Sequence, residues 1–371
     1  MAQKKKKRSD GLLRRTFRFN GKRYEVYGHS NAELSEKEHK KREELDKGLQ
    51  SRINPTMTEY FTRWIDRRRG CVSEATIRGQ NNMFKTASKV WIDSADRELG
   101  DIKIKELTVD DLITLQRKLS EKRVSRGVND TLALFKQMLG DAMNERVIDY
   151  NPCVMVKKLK RTEPQARNTY HRALTLDEQK RFFESEIVQK SFYYDIFRIC
   201  ILTGLRIGEV GALRNSDIYG GFIHVERTIT RTEAGGYKVG DSAKTEAGKR
   251  KIPVTDQIKA VLKHQREINR ILDHDTEGID DLIFRCVRRG LLKPHPVDRE
   301  LKRLCTLLEI EPFTAHAFRD TFATRAIESG IAPKTLQEIM GHSDISITLN
   351  LYAHCMDETK KEAMDKIVIA I

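Results

Sequence analysis

The 371-residue sequence predicts three modules in series: a small β-hairpin with one helix, an all-α domain, and an α+β domain built around a small antiparallel sheet. Three observations carry that expectation. Asn20-Gly21 joins two alternating runs, Arg15–Phe19 and Lys22–Tyr27, and a type I′ turn needs positive φ at both central residues. From Thr56 to Arg146 apolar residues recur at i, i+3, i+4 spacing, the period of helices buried on one face. Beyond residue 172, helical patterns with capping signals alternate with short strand-like runs at 222–232, 237–239 and 250–254, separated by turns at Gly235-Gly236 and Glu246-Ala247-Gly248.

The two-residue loop sets the hairpin register: Phe19 faces Lys22, Arg18 faces Arg23, Phe17 faces Tyr24 and Thr16 faces Glu25. Phe17, Phe19, Tyr24 and Val26 then share one face, and Arg18 and Arg23 lie side by side on the other. Directly opposed like charges cost stability unless an anion sits on them; the alternative is a solvated sheet face. Ser30 and Glu33 form a capping box that opens a charged helix to about Lys47, ended by Gly48, and 49–55 reads as a linker. The helical domain follows, with Met57, Tyr60, Phe61, Trp64 and Ile65 on one stripe, and further helices expected at 74–91, 108–122 and 128–146. In the last, Leu132, Phe135, Met138, Leu139 and Ala142 mark the core face. Asn151-Pro152 closes it. Arg67 and Arg68, ending the first helix of this domain, are candidate phosphate contacts or a solvated turn. A basic joint at 157–171 carries Lys157 and Lys158 and has no apolar period. The last domain opens with a Thr175/Glu178 capping box. A buried helix at 192–202 stops at Gly204, a second starts near Ile207, and helical signals dominate after the strands.

Charge narrows the function. The formal net charge is +15, and Met1–Tyr24 alone holds ten basic residues (Arg14, Arg15, Arg18, Lys22 and Arg23 among them) against one acid. A polyanion is the expected partner, bound with steep salt dependence. With 39% hydrophobic and 33% charged residues and no apolar run near the ~20 residues of a membrane span, the chain reads as a cytoplasmic protein with no membrane association. Six cysteines lie scattered without C-x-x-C spacing, arguing against structural zinc and disulfides. No Walker, G-x-G-x-x-G or H-E-x-x-H pattern occurs, so no cofactor and no metal are expected.

Chemistry concentrates near the carboxyl end. His316-Ala317-Phe318-Arg319, Gly341-His342 and Tyr352 follow an upstream Thr203-Gly204-Leu205-Arg206-Ile207-Gly208-Glu209. Arg presents a planar, permanently charged fork that can bond two phosphate oxygens at once. Histidine donates hydrogen bonds or moves protons near neutral pH, and a tyrosine oxygen can carry a covalent intermediate. The set suits a phosphodiester held for attack by a phenol. Glu209, one turn after Arg206, shares its helix face and can orient a cationic side chain.

With Ala243-Lys244-Thr245 ahead of Lys251-Ile252-Pro253-Val254, this ordered set resembles the tyrosine recombinase family, in particular phage and conjugative-transposon integrases. The resemblance implies a tyrosine-recombinase catalytic domain at 172–371, a basic linker at 157–171, a helical core-binding domain at 51–156 and an arm-binding domain at 1–50. It implies that Arg206 and Arg319 clamp the scissile phosphate, that Tyr352 attacks it to form a 3′-phosphotyrosyl link, and that Lys244 protonates the leaving 5′ oxygen, with Lys238 and Lys249 as neighbouring alternatives. His316 and His342 would bond the phosphate and assist proton transfer. The implied partners are double-stranded DNA attachment sites of core and arm type, a homotetramer on synapsed DNA, an excisionase and a host DNA-bending protein, in a nucleoid-associated setting. A chromosome or plasmid resolvase, a type IB topoisomerase-like enzyme and a non-catalytic DNA-binding protein remain alternatives. Two departures are visible. His342 and Tyr352 are ten residues apart where many relatives use nine, and Asp320 follows Arg319 where relatives often carry a basic or histidine side chain, either bracing Arg319 or lowering the local potential.

Overall fold

The computed structural model describes residues 12–19, 21–46, 54–160, 172–241, 248–272, 281–286 and 290–355. It divides into two compact units, Met1–Ala166 and Arg167–Ile371. In the first, β1 (Leu13–Phe19) and β2 (Lys22–Gly28) pair antiparallel in the register expected from the turn, with Arg18 opposite Arg23 and Phe17 opposite Tyr24. Gly21 takes the left-handed conformation at φ 76°. Alternation turns Phe17 and Val26 inward onto Leu34 of α1 (Asn31–Asp46), and these three close a small core. The Ser30 hydroxyl accepts from the Glu33 N–H at 3.2 Å, as a cap should. The Glu33 carboxylate reaches one residue further back, to the His29 N–H at 2.7 Å.

The helical part comprises α2 (Met57–Arg68), α3 (Glu74–Ala87), α4 (Val109–Ser120) and α5 (Ser125–Asn144). Their apolar stripes meet in one core that contains all five of Met57, Tyr60, Phe61, Trp64 and Ile65, with Phe61 and Phe84 stacked at 3.8 Å between ring centres. The helix expected to reach residue 91 stops at Ala87. There the chain doubles back: the Leu99 and Gly100 N–H groups donate to the Val90 and Ser88 carbonyls, and Trp91–Ile92 (β3) pairs with Arg97–Glu98 (β4). Ile92 is buried and Trp91 is left exposed, the period-2 outcome of a strand where a helix was expected.

The second unit runs α6 (Leu176–Glu184), α7 (Glu186–Gln189), α8 (Tyr194–Thr203), α9 (Ile207–Ala212), β5 (Ile218–Tyr219), β6 (Phe222–Val225), β7 (Arg227–Arg231), β8 (Tyr237–Asp241), β9 (Arg250–Pro253), α10 (Asp256–Leu272), α11 (Pro294–Leu307), α12 (His316–Glu328), α13 (Pro333–Met340) and α14 (Ile345–Cys355). The Thr175/Glu178 box at the start of α6 makes both of its bonds. Phe182 sits at the centre of the core, ringed by Phe183, Phe197, Phe313 and Phe318. The strand expected over 222–232 is two strands. β6 pairs with β5 and β9, whereas β7 leaves that sheet to pair with β8. β7 packs against α9 instead, so closely that a Cβ at Gly208 would stand 2.7 Å from the Thr228 hydroxyl.

Candidate active site

Two glycine-ended helices frame the site. Gly204 closes α8 at φ 65° and Gly341 closes α13 at φ 63°, conformations that side chains resist. A Cβ at Gly204 would also stand 2.6 Å from the Phe322 ring. The chain leaves the first helix end toward Arg206 and the second toward His342.

Arg319 ties the two ends together. Only 2% exposed, it donates from Nη1 to the Gly204 carbonyl at 2.5 Å and from Nη2 to the Met340 carbonyl. Burial, then the charges of Arg206 and Arg250, push its guanidinium down to about 9, which still leaves it a cation at neutral pH. Arg206 is the N-cap of α9 and remains 44% exposed. Its N–H and its Nη1 each donate to the Glu209 carboxylate at 2.9 Å.

Glu209 is buried, as is its second partner, Arg250 on β9. Arg250 donates to both carboxylate oxygens, at 3.1 and 2.7 Å, and from Nε to the Ile339 carbonyl at 2.7 Å. Burial pushes the Glu209 carboxyl up, but the hydrogen bonds and charges of Arg250 and Arg206 outweigh it and hold it at about 2. The Glu209 carboxylate thus bonds two guanidinium groups, those of Arg206 and Arg250. Arg250 escaped the sequence reading. Its signal was the strand alternation, which turns Arg250 inward on the same side as buried Ile252.

His342 follows the Gly341 cap, with Nδ1 paired to the buried Thr348 hydroxyl at 2.9 Å. Burial, then Arg319, Arg206 and Arg250, depress its imidazole to about 4, so it is neutral near pH 7. His316 opens α12, and its Nε2 lies 3.6 Å from Asp320 one turn on. Asp320 therefore pairs with His316, an arrangement the sequence did not suggest, and its charge also favours the protonated Arg319. Tyr352 lies on α14, where position 352 follows Thr348 by one turn; its side chain is outside the described residues. Lys244 is outside them as well, and both Lys238 and Lys249 are exposed.

The basic residues of the first unit divide by face. Arg14, Arg18 and Arg23 occupy the open face of the hairpin, and Lys22 is exposed beside the turn. Arg15 is on the helix side, donating to the Ser35 hydroxyl at 2.7 Å and lying 3.6 Å from Glu38. Arg67 pairs with Glu145 at 2.7 Å, and Arg68 stacks over Trp64 at 4.5 Å. Lys157 and Lys158 point to solvent on a segment anchored by Gln116 to the Lys157 carbonyl and by Asn129 to Leu159. The site in the second unit thus gathers three arginines and a neutral imidazole against two carboxylates, Glu209 held by Arg206 and Arg250, and Asp320 beside His316. That excess of positive charge, with donors on half-exposed Arg206, suits an anion with several oxygens.

Residues 171–359 match the model of the phage integrase family. The transposase from transposon Tn916 of Enterococcus faecalis is 27% identical over 215 residues, 52% of this chain and 50% of that protein, so the chain spans about half the length of that relative. The ICEBs1 integrase of Bacillus subtilis is 25% identical over 273 residues, 71% of each chain. Among solved structures, the Tn1549 transposon integrase in complex with transposon right end DNA superposes with a TM-score of 0.68 at 25% identity, over 84% of this chain and 99% of that one.

Proposed function

The chain belongs to the phage integrase family, and from that premise we propose that it is a site-specific DNA recombinase that integrates and excises a mobile element. Double-stranded DNA is the substrate. The Tyr352 oxygen attacks the scissile phosphorus, the P–O5′ bond breaks, and a 3′-phosphotyrosyl link retains the bond energy until a second DNA end displaces the tyrosine. The observation that carries this reading is the arginine framework: buried Arg319 and Arg250 hold two helix ends in place while Arg206 keeps donors toward solvent. In that frame Arg206 and Arg319 supply the charge that meets the non-bridging oxygens as they become more negative. His342, neutral and with one ring nitrogen engaged by Thr348, uses the other on the phosphate, and His316 does so with Asp320 behind it. Lys244 protonates the leaving 5′ oxygen.

The arm domain at 1–50 and the core-binding domain at 51–156 place the enzyme on arm and core sites, with Arg14, Arg18, Lys22, Arg23, Lys157 and Lys158 on phosphates. Arg15, Arg67 and Arg68 contribute less, because each is engaged by its own domain, as Arg14 is in part through Glu25 at 3.5 Å. Recombination runs in a homotetramer on two synapsed sites, with an excisionase and a host DNA-bending protein as accessories, on the cytoplasmic nucleoid.

A nicked suicide DNA carrying the element's junction tests the reading. Covalent protein–DNA adduct that survives SDS is expected from the natural chain and none from Tyr352→Phe. Adduct from Tyr352→Phe would place the nucleophile elsewhere; none from the natural chain would leave a non-catalytic DNA-binding protein.

A further inference from the structure

Among the described residues, Arg250 makes four hydrogen bonds inside the protein, as many as the Glu209 carboxylate it meets. Its Nη1 and Nη2 take the two oxygens of Glu209, its Nε takes the Ile339 carbonyl, and Nη1 also lies 3.4 Å from the Gly248 carbonyl. With 4% of its side chain exposed, it is spent inside the protein. The same carboxylate receives the backbone N–H and Nη1 of Arg206, which is ten times more exposed at 44%.

The arrangement has an electrostatic consequence. A buried carboxylate with Arg206 as its only cation would hold that guanidinium in a closed ion pair and offset its field. With Arg250 neutralising Glu209 from beneath, Glu209 steers Arg206 by geometry while the surplus charge stays on Arg206. Arg250 also ties β9 to the last turn of α13, whose Met340 carbonyl is held by Arg319 and whose next turn delivers His342. Arg250 therefore adds a second tie, beside Arg319, between the two halves of the clamp.

We propose that Arg250 is a positioning residue for DNA cleavage: through its bidentate bond to Glu209 and its bond to Ile339, it keeps the positive field of Arg206 from being offset by Glu209 and keeps Arg206 aligned for the non-bridging oxygens of the scissile phosphate. The proposal rests on the recombinase reading above. It requires the planar fork, since an ammonium has no geometry that spans both carboxylate oxygens and the Ile339 carbonyl.

The test is single-turnover adduct formation on suicide DNA carrying either a phosphate or an uncharged methylphosphonate at the scissile position, with thermal melting to verify folding. Misplacing an aligned charge by about 1 Å slows such a step on the order of 100-fold. Arg250→Gln is expected to cleave the phosphate about 100-fold more slowly than the natural chain, and that deficit is expected to shrink about tenfold or more on the methylphosphonate, which lacks the charge the clamp serves. Arg250→Lys, which leaves Glu209 a cation and so protects the fold, is expected to be slowed about tenfold on phosphate and to show the same relief. An equal deficit on both substrates would mean that Arg250 only stabilises the domain, and a natural rate for Arg250→Lys would mean that the fork is not needed; either result overturns the proposal. Absence of adduct from the natural chain would instead sink the recombinase reading on which it stands.

Discussion

His342 is an imidazole among cations. Depressed to about 4 from an ordinary value near 6.5, it binds its proton less readily in the folded chain than in the unfolded one. The stability that goes with its neutral form is present above pH 6.5 and is lost as the pH falls toward 4. Glu209 acts in the same direction lower down: held at about 2 rather than 4.5, it contributes stability that is lost as the pH falls through that interval. The melting temperature of the natural chain is therefore expected to drop between pH 6.5 and 4 and further below. His342→Gln is expected to flatten the upper part of that profile and leave the lower part. An unchanged slope above pH 4.5 in His342→Gln would assign the loss to other groups. The residues proposed for the site could be named from the sequence, because Arg206, His316, Arg319, His342 and Tyr352 fall in short signatures in a fixed order. Arg250 could not, because its role depends on Glu209, 41 residues away, and on a main-chain carbonyl that no sequence pattern marks.

At the scale of elements, helix ends organise the site. Gly204 and Gly341 stop α8 and α13 in the left-handed conformation, and the carbonyls of Gly204 and Met340 turn toward the same buried guanidinium. Gly204→Ala carries two penalties, a φ of 65° and a Cβ 2.6 Å from the Phe322 ring. We expect it to destabilise the domain by about 2 kcal/mol or more, read by urea denaturation. Because the Gly204 carbonyl is an Arg319 acceptor, adduct formation should fall as well. Ala at Gly330, which has a φ of 78° but open space around its Cβ, should cost less and spare the chemistry; equal effects at the two positions would remove the special place given to the Gly204 turn. Hairpin register, helix caps and stripes were readable because each is settled within a few residues. The break at Glu226 and the stop at Ala87 were not, since each goes with contacts beyond its own turn: β7 packs on α9, and the chain doubles back at 97–100 onto Ser88 and Val90.

At the scale of the whole molecule, among the described residues each of the two large cores closes on itself, one with buried residues from Met57 to Cys153 and Val156 and Leu159 packed against them, the other with buried residues from Leu174 to Phe318. A separately produced 172–371 is thus expected to fold with a cooperative melt and to form the covalent adduct. It should need more DNA to do so and show a shallower salt dependence, because the basic first unit no longer contributes phosphate contacts. A fragment that does not fold, or that binds DNA with undiminished affinity and salt slope, would count against these boundaries.

The sequence by itself determined what is local or ordered along the chain: the modules, the hairpin register, the core faces of the helices and the order of the motifs from which the phosphate-meeting residues are proposed. Period, turn chemistry and motif order suffice for these, since each depends on neighbours within one or two turns or on sequence order alone. Only the tertiary structure decided how charge is distributed at the site. It left Arg206 half-exposed while burying Arg319 and Arg250, made His342 neutral and gave Asp320 to His316. Burial and the proximity of charges from distant segments set those states, and neither is encoded in any single stretch of the chain.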